Sequence, residues 1–414
     1  MTTQSYIVPR VGVQSRSFIE TLGFLFWFFL GVKPVLVFLF ANNPATGTLV
    51  LSFGDAVFFA VLFFAFVSRL VLHRVGESEV VWPGAAKLMF LFMAWAAVSL
   101  LWTHSDTPGS AVGYWGLMLI DLLIVVLLVR MGDIELVALR SVEGLVLGTA
   151  VLSVLALVFL AHSGTRLGDD DLLHPNSVGN YTGVALLCCF YLVLRVARRS
   201  WERLFWMGTG MVLLVTLLRS GSKTALGAFV IACFMYFLRS RRPGWQKVAA
   251  TVAVLGVALV AVPLVLNRMY ESEGRSRVES FSGRTELWQQ TLDMIRDRPI
   301  QGYGFLSFRD YGPQPFSDIR VVHAHDEWLN LWFTLGLVGV VLAAASYFAF
   351  FLQARRAARW PGTAAQAALA ISLLAFALVR GITEAANGFV FPMGIMLLFL
   401  FWMSERRFPT GGEV

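Results

Sequence analysis

Several short polar stretches interrupt an otherwise oily chain, and their side chains suit gripping an anion and moving a proton. "LLRSGSKTALGAF" (217–229) sets Arg219 and Lys223 on either side of Ser220-Gly221-Ser222. Lys223 and Thr224 open a helix, where unpaired backbone N–H groups and the helix dipole already favour negative charge. "SGRTELW" (282–288) contributes Arg284, with Arg275 and Arg277 upstream. The planar fork of arginine matches paired phosphate oxygens. "HAHDEW" (323–328) supplies His323, His325 and Asp326, and a neutral imidazole can take a proton from a hydroxyl. "RGITEAANG" (380–388) adds Arg380 and Glu384. Together these groups describe a cationic pocket with a base beside it, suited to an anion carried on a lipid.

Each stretch also has a plainer reading. Arg219 and Lys223 can be snorkelling anchors at a membrane boundary. A histidine at a helix start is commonly structural. The HAH pair raises a metal, but side chains at i and i+2 do not easily converge, and no third ligand stands at a characteristic spacing. No metal and no cofactor is therefore expected. "RLGDDDLLHPNSVGN" (166–180) brings Asp169, Asp170, Asp171, His174 and Asn176. Adjacent acids invite a divalent cation, yet consecutive side chains do not face one site, so a solvated acidic run is the expectation. Gly302-Tyr303-Gly304 makes a flexible aromatic turn.

The elements that must position these groups are helices in a membrane. Of the 414 residues, 57% are hydrophobic and 14% charged, against about 25% charged in soluble domains. The mean hydropathy is +0.70. Backbone amides in hydrocarbon must be satisfied internally, so each long apolar run reads as a helix. Spans are expected at 19–41, 49–68, 84–102, 112–129, 142–161, 178–194, 204–218, 224–238, 248–267, 327–352, 364–379 and 388–403. The first carries an interruption at Lys33-Pro34 and is expected to stay as an anchor, because no short apolar run with a cleavage site precedes it. The fold class is all-α and polytopic, with about twelve transmembrane helices in a single membrane domain over 1–414. Cys188, Cys189 and Cys233 lie inside apolar runs, which argues against a disulfide framework or a zinc site.

The net charge of +7 does not indicate nucleic acid, because the cations cluster at span ends and no basic-aromatic module appears. Arg69 and Arg74, Arg130 and Arg140, Arg195 to Arg203, Arg239 to Lys247, Arg355 to Arg359, and Arg406 with Arg407 occupy alternate connections. The positive-inside rule places those loops and both termini in the cytoplasm. The long segment 268–326 between the ninth and tenth spans then faces outward, and so do all the groups named above. Within it, Arg284 to Arg298 forms an amphipathic helix with Leu287, Trp288, Leu292 and Ile295 on one face, ended by Pro299. A cap without chemistry is the plainer reading of that segment. A transporter or flippase would place its charges nearer the bilayer midplane, where only Asp121 and Lys33 are expected.

At these residues the chain resembles the bacterial O-antigen ligase and polysaccharide polymerase family. The resemblance rests on "SGSKTAL" (220–226), "SGRTELW" (282–288), "RPIQGYGF" (298–305) and "HAHDEWLNLWFTLGLVG" (323–339), and covers roughly the C-terminal half. It implies a GT-C-like, metal-independent inner-membrane glycosyltransferase acting on an undecaprenyl-diphosphate-linked glycan at the periplasmic face. His325 would be the base, Arg284 and Lys223 would hold the diphosphate with Arg219 in support, and Glu384 would fill the family's acidic position. His323, Asp326, Arg380, His174, Asn176 and Tyr303 would be further substrate or acceptor contacts. Implied partners are the lipid-linked glycan, membrane lipids, and a chain-length regulator or a lipid A-core acceptor. Many ligases carry Arg at the place of Lys223 and Asn at that of Asp326. With "HPNSVGN" and "GYGFLSF", these departures resemble exopolysaccharide polymerases more than ligases.

Overall fold

The computed structural model describes residues 18–39, 44–71, 82–160, 166–167, 174–239, 243–249, 251–252, 284–315, 321–385 and 390–404. Its elements are α1 (Phe18–Leu39), α2 (Pro44–Val71), α3 (Gly84–Ser99), α4 (Pro108–Met131), α5 (Ile134–Phe159), α6 (Pro175–Tyr191), α7 (Ser200–Arg219) and α8 (Lys223–Arg239). Then follow α9 (Arg284–Asp297), the single turn α10 (Phe308–Tyr311), α11 (Glu327–Ala357), α12 (Ala364–Gly381) and α13 (Val390–Ser404). Among the described residues, seven helices are long and apolar enough to cross a membrane. Helices occupy every expected span except the ninth, 248–267, which lies outside the described residues beyond its first turn. The interruption expected at Lys33-Pro34 does not occur, since α1 runs through Pro34 as one helix. A proline costs one backbone hydrogen bond, and α5 packs closely just before it, where a Cβ at Gly31 would lie 2.7 Å from Thr149 N.

That α1–α5 contact illustrates how the bundle is held. Hydrocarbon offers no hydrophobic drive between apolar helices, so close backbone approach must supply packing energy. Gly144 and Gly148 lie one turn apart, and a Cβ on either would fall about 2 Å from the carbonyl oxygens of Phe24 and Phe28. Elsewhere α12 packs on α8, α11 on α3, and α6 on α7.

The segment before α11 has a small core of its own. Leu287, Ile295, Tyr303, Phe308, Val321, Ala324 and Phe333 bury one another beneath the amphipathic α9. Leu287 and Ile295 face inward as the periodicity predicts, whereas Leu292 is 41% exposed and Thr291 takes the buried position. The core docks on α11 where that helix is broken. Gly336 has φ +66°, outside helical geometry, and the carbonyls freed by the break need donors. Tyr303 N and Gly304 N donate to Phe333 O and Thr334 O at 2.9 and 2.8 Å. Trp95 Nε1 donates to Leu335 O at 2.9 Å, and Leu337 N donates back to Pro299 O at 2.9 Å. The Gly-Tyr-Gly turn thus completes a transmembrane helix and sets the angle at which α11 presents its N-terminus.

This geometry makes Gly336 irreplaceable, because a Cβ there would lie 2.0 Å from Ile300 O at a positive φ. Gly336→Ala combines left-handed strain with overpacking, and is expected to cost about 2–5 kcal/mol. The midpoint of thermal unfolding in detergent would fall accordingly. A change within about 0.5 kcal/mol, the ordinary surface range, would show that the break tolerates a side chain.

Candidate active site around Glu384

Glu384 follows the end of α12 and is 6% exposed. A carboxylate so placed requires donors or cations around it. Asn176 Nδ2, in the first turn of α6, donates to Oε2 at 2.8 Å. Arg284 Nη2, at the start of α9, stands 3.3 Å from the same oxygen. Its Nη1 donates to the carbonyl of Thr383. On the other oxygen, His325 Nδ1 stands at 3.3 Å and His323 Nε2 at 4.0 Å. Side chains from two helices and the turn before α11 therefore meet on one carboxyl group.

The turn carrying the histidines is tightly specified. His325 has φ +50°, a left-handed conformation uncommon outside glycine, and such strain persists only where surroundings impose it. His325 N donates to His323 Nδ1 at 3.2 Å, and Trp288 Nε1 reaches from α9 to Ala324 O at 2.8 Å. Asp326 caps α11 by accepting from Leu329 N at 2.7 Å. His325 Nδ1 has no tight hydrogen-bond partner among the described residues, and its nearest is Glu384. A proton on Nδ1 facing that carboxylate leaves Nε2 with a free lone pair, the tautomer a general base needs. The His325 side chain is 27% exposed, so it is open to a reactant.

Electrostatics separate the two histidines. Burial opposes ionisation of Glu384, but the His325 ring beside it, followed by the neighbouring His323 and Arg284, outweighs that and holds its carboxyl near 2. Burial, followed by the neighbouring His325, pushes His323 down to about 3. His323 is neutral at ordinary pH, and its 4.0 Å approach to Glu384 is no ion pair.

A cationic wall adjoins this cluster. Arg166 Nε donates to Ser220 O at 3.1 Å and its Nη2 to Asn176 Oδ1 at 2.9 Å. It lies across Gly221, whose φ is +60°. Thr224 and Thr383 share a hydroxyl hydrogen bond of 2.7 Å, tying the start of α8 to the residue before Glu384. Arg219 and Lys223 flank this hairpin with exposed side chains.

The remaining sequence candidates hold structure. Arg380 is buried, with Nη2 donating to Ala385 O at 3.1 Å and Nη1 4.0 Å from Glu327. Glu327 in turn accepts from Tyr347 Oη at 3.1 Å. Tyr303 is buried, stacks on Phe333 and donates to Met294 O at 2.8 Å. His174 caps α6, its Nδ1 accepting from Asn176 N at 3.2 Å. Asp169, Asp170, Asp171, Arg275 and Arg277 lie outside the described residues.

One geometric expectation fails. The i and i+2 histidines do converge, with ring centroids 4.2 Å apart, because the left-handed turn at His325 folds them together. With Glu384 they offer ligand atoms within 4.8 Å of one another, an arrangement able to hold a metal ion. Arg284 beside the same carboxylate opposes such an ion by placing a competing cation there. Sequence reasoning also missed Arg166 and Thr383, and it read Thr224 only as a helix start. An arginine opening the acidic run 166–180 was the available signal for the first.

Comparison with known proteins agrees with these motifs. Residues 208–344 match the family described as O-antigen ligase, a stretch holding Arg219, Lys223, Arg284, His323 and His325 but not Asn176 or Glu384. The exopolysaccharide production protein ExoQ of Rhizobium meliloti (strain 1021) is 24% identical over 302 residues. That match spans 65% of this chain and 65% of the relative, somewhat under two thirds of its length. By both comparisons the chain is similar to the O-antigen ligase and polysaccharide polymerase family.

The depressed pKa of His323 gives a test in stability. The unfolded chain binds a proton at His323 below about 6.5 and the folded one only below about 3, so stability falls as pH falls across that window. Glu384 adds a second loss below 4.5 as its carboxylate is titrated toward 2. The unfolding midpoint in detergent should drop on mild acidification, and His323→Gln should flatten the upper limb. An unchanged upper limb in the variant would place the effect elsewhere.

Proposed function

We propose that this chain, matched over residues 208–344 by the O-antigen ligase family, polymerises undecaprenyl-diphosphate-linked repeat units of an exopolysaccharide or O-antigen. It is a metal-independent glycosyltransferase in a single membrane domain over 1–414. In this reading twelve spans cross the bacterial inner membrane, both termini are cytoplasmic, and the segment 268–326 and the site face the periplasm. The observation that carries the reading is the meeting of His325 and Arg284 on Glu384, beside the Lys223 hairpin.

The chemistry follows from that arrangement. The acceptor hydroxyl gives its proton to His325 Nε2 while its oxygen attacks the anomeric carbon. The bond from that carbon to the diphosphate oxygen breaks, and undecaprenyl diphosphate departs with the electron pair. A single displacement inverts the anomeric centre. Glu384 holds the imidazole tautomer and stabilises the imidazolium that forms. Arg284 and Lys223, with Arg219 in support, neutralise charge growing on the leaving group, and preorganised cations of this kind lower such barriers. Arg284 is already fixed by Thr383 O and needs little rearrangement. Asn176 and His323 border the acceptor side, whereas Asp326, Arg380, His174 and Tyr303 shape the pocket around them.

The family description favours a second reading, in which the finished glycan passes to a lipid A-core acceptor. The name of the Rhizobium relative favours exopolysaccharide and hence polymerisation. A chain-length regulator is the expected protein partner of a polymerase.

His325→Ala should reduce transfer by about 10²–10⁴-fold, the usual contribution of a general base, without affecting membrane insertion. Analysis of lipid-linked intermediates in cells carrying the variant separates the readings. Single repeat units should accumulate, whereas long lipid-linked chains would indicate ligation. Normal polymer in the variant would reject His325 as the base.

A further inference from the structure

Arg166 and Glu384 meet the two ends of one amide, that of Asn176. Nη2 of Arg166 donates to Asn176 Oδ1 at 2.9 Å, and Asn176 Nδ2 donates to Glu384 Oε2 at 2.8 Å. A guanidinium has only donors and a carboxylate only acceptors, so the amide between them has a single orientation.

Arg166 is itself fixed from behind. Its Nε donates to Ser220 O at 3.1 Å, and Leu167 N donates to Arg219 O at 2.8 Å. Leu167 is buried with Leu152, Ala156, Leu160 and Val178. Gly221 makes room for the arginine, because a Cβ there would fall 3.1 Å from Arg166 Cγ and Nε. Although Arg166 is exposed, two of its nitrogens are committed to protein acceptors.

The consequence appears at Glu384. Asn176 Nδ2 and Arg284 Nη2 both approach Oε2, at 2.8 and 3.3 Å, which leaves Oε1 to His325 Nδ1 at 3.3 Å. Holding Oε2 fixes the rotation of the carboxyl group, and with it the direction in which Oε1 meets the imidazole.

We infer that Arg166 and Asn176 are positioning residues that set the orientation of Glu384 towards His325, with Arg166 acting through the Asn176 amide. The pair also fastens the hairpin before Lys223 to the carboxyl group behind the base. The 2.7 Å hydroxyl bond between Thr224 and Thr383 ties the same hairpin to the residue before Glu384. The inference rests on the roles proposed for Glu384 and His325 in glycosyl transfer.

Steady-state transfer by the purified full-length protein in liposomes, with undecaprenyl-diphosphate-linked repeat units as substrate, tests it. Asn176→Asp keeps an acceptor for Arg166 but turns a second carboxylate oxygen towards Glu384. An acid in the first turn of α6 suits the helix dipole, so this variant should fold. Its kcat should fall about 10- to 10²-fold with KM unchanged, as misplacing a catalytic group does. Arg166→Met should lower kcat about 10-fold alone. In a protein already carrying Asn176→Ala it should lower kcat by less than about twofold, because residues acting as one unit are not additive. Should Arg166→Met fold poorly, Asn176→Asp decides the matter alone.

Equal losses from Arg166→Met in both backgrounds, or a wild-type kcat in Asn176→Asp, would overturn the inference. A raised KM with kcat intact in Arg166→Met would overturn it too, making Arg166 a direct contact of the diphosphate. His325→Ala, measured alongside, separates this from the reading beneath it. Normal transfer there rejects the base, whereas lost transfer there with wild-type rates in the Arg166 and Asn176 variants rejects the positioning pair alone.

Discussion

A buried carboxylate at Glu384 is the constraint around which one end of this bundle is arranged. Its charge has to be compensated, and the compensating groups come from α6, α9 and the turn before α11. No one of these elements is adjacent to Glu384 in sequence. The same electrostatic requirement that stabilises the carboxylate therefore gathers an arginine and an imidazole at one place, where a diphosphate and an acceptor hydroxyl can meet. Structure and proposed chemistry rest on one set of contacts.

Those contacts are only as good as the scaffold that aims them. α11 carries the histidine turn, and α11 is broken at Gly336. The turn 302–304 fills the gap with its own N–H groups, so the segment bearing Arg284 and the helix following His325 are fastened together at the break. Arg380 extends this below the site, linking Glu327 of α11 to the carbonyl just after Glu384. A position read from sequence as a substrate contact is in this way a brace. Tyr303 is a second case, with its ring stacked in a core and its hydroxyl committed to Met294.

The helices and the polar residues of the site were legible in the sequence because both depend on local signals. Apolar runs announce spans, and costly charges such as Arg284 and Glu384 stand out against them. What was hidden depends on conformation or on pairing across long separations. The convergence of His323 with His325 requires a left-handed residue that no spacing rule foresees. Thr291 replacing Leu292 on the buried face reflects the shape of the small core beneath α9. Arg166 acquires meaning only once the hairpin at Ser220 is folded against it.

The central claim is that Glu384 works through His325 and leaves lipid diphosphate binding to the cations. Glu384→Gln preserves the shape of the side chain while removing its charge, so Arg284 loses a competitor for phosphate and His325 loses the group that fixes its tautomer. The decisive measurement is the steady-state transfer rate of purified variant in liposomes against concentration of the undecaprenyl-diphosphate-linked substrate. The account predicts a kcat lower by about 10²-fold or more, with KM unchanged or reduced. A raised KM with kcat intact would contradict it, and would make Glu384 a binding group instead.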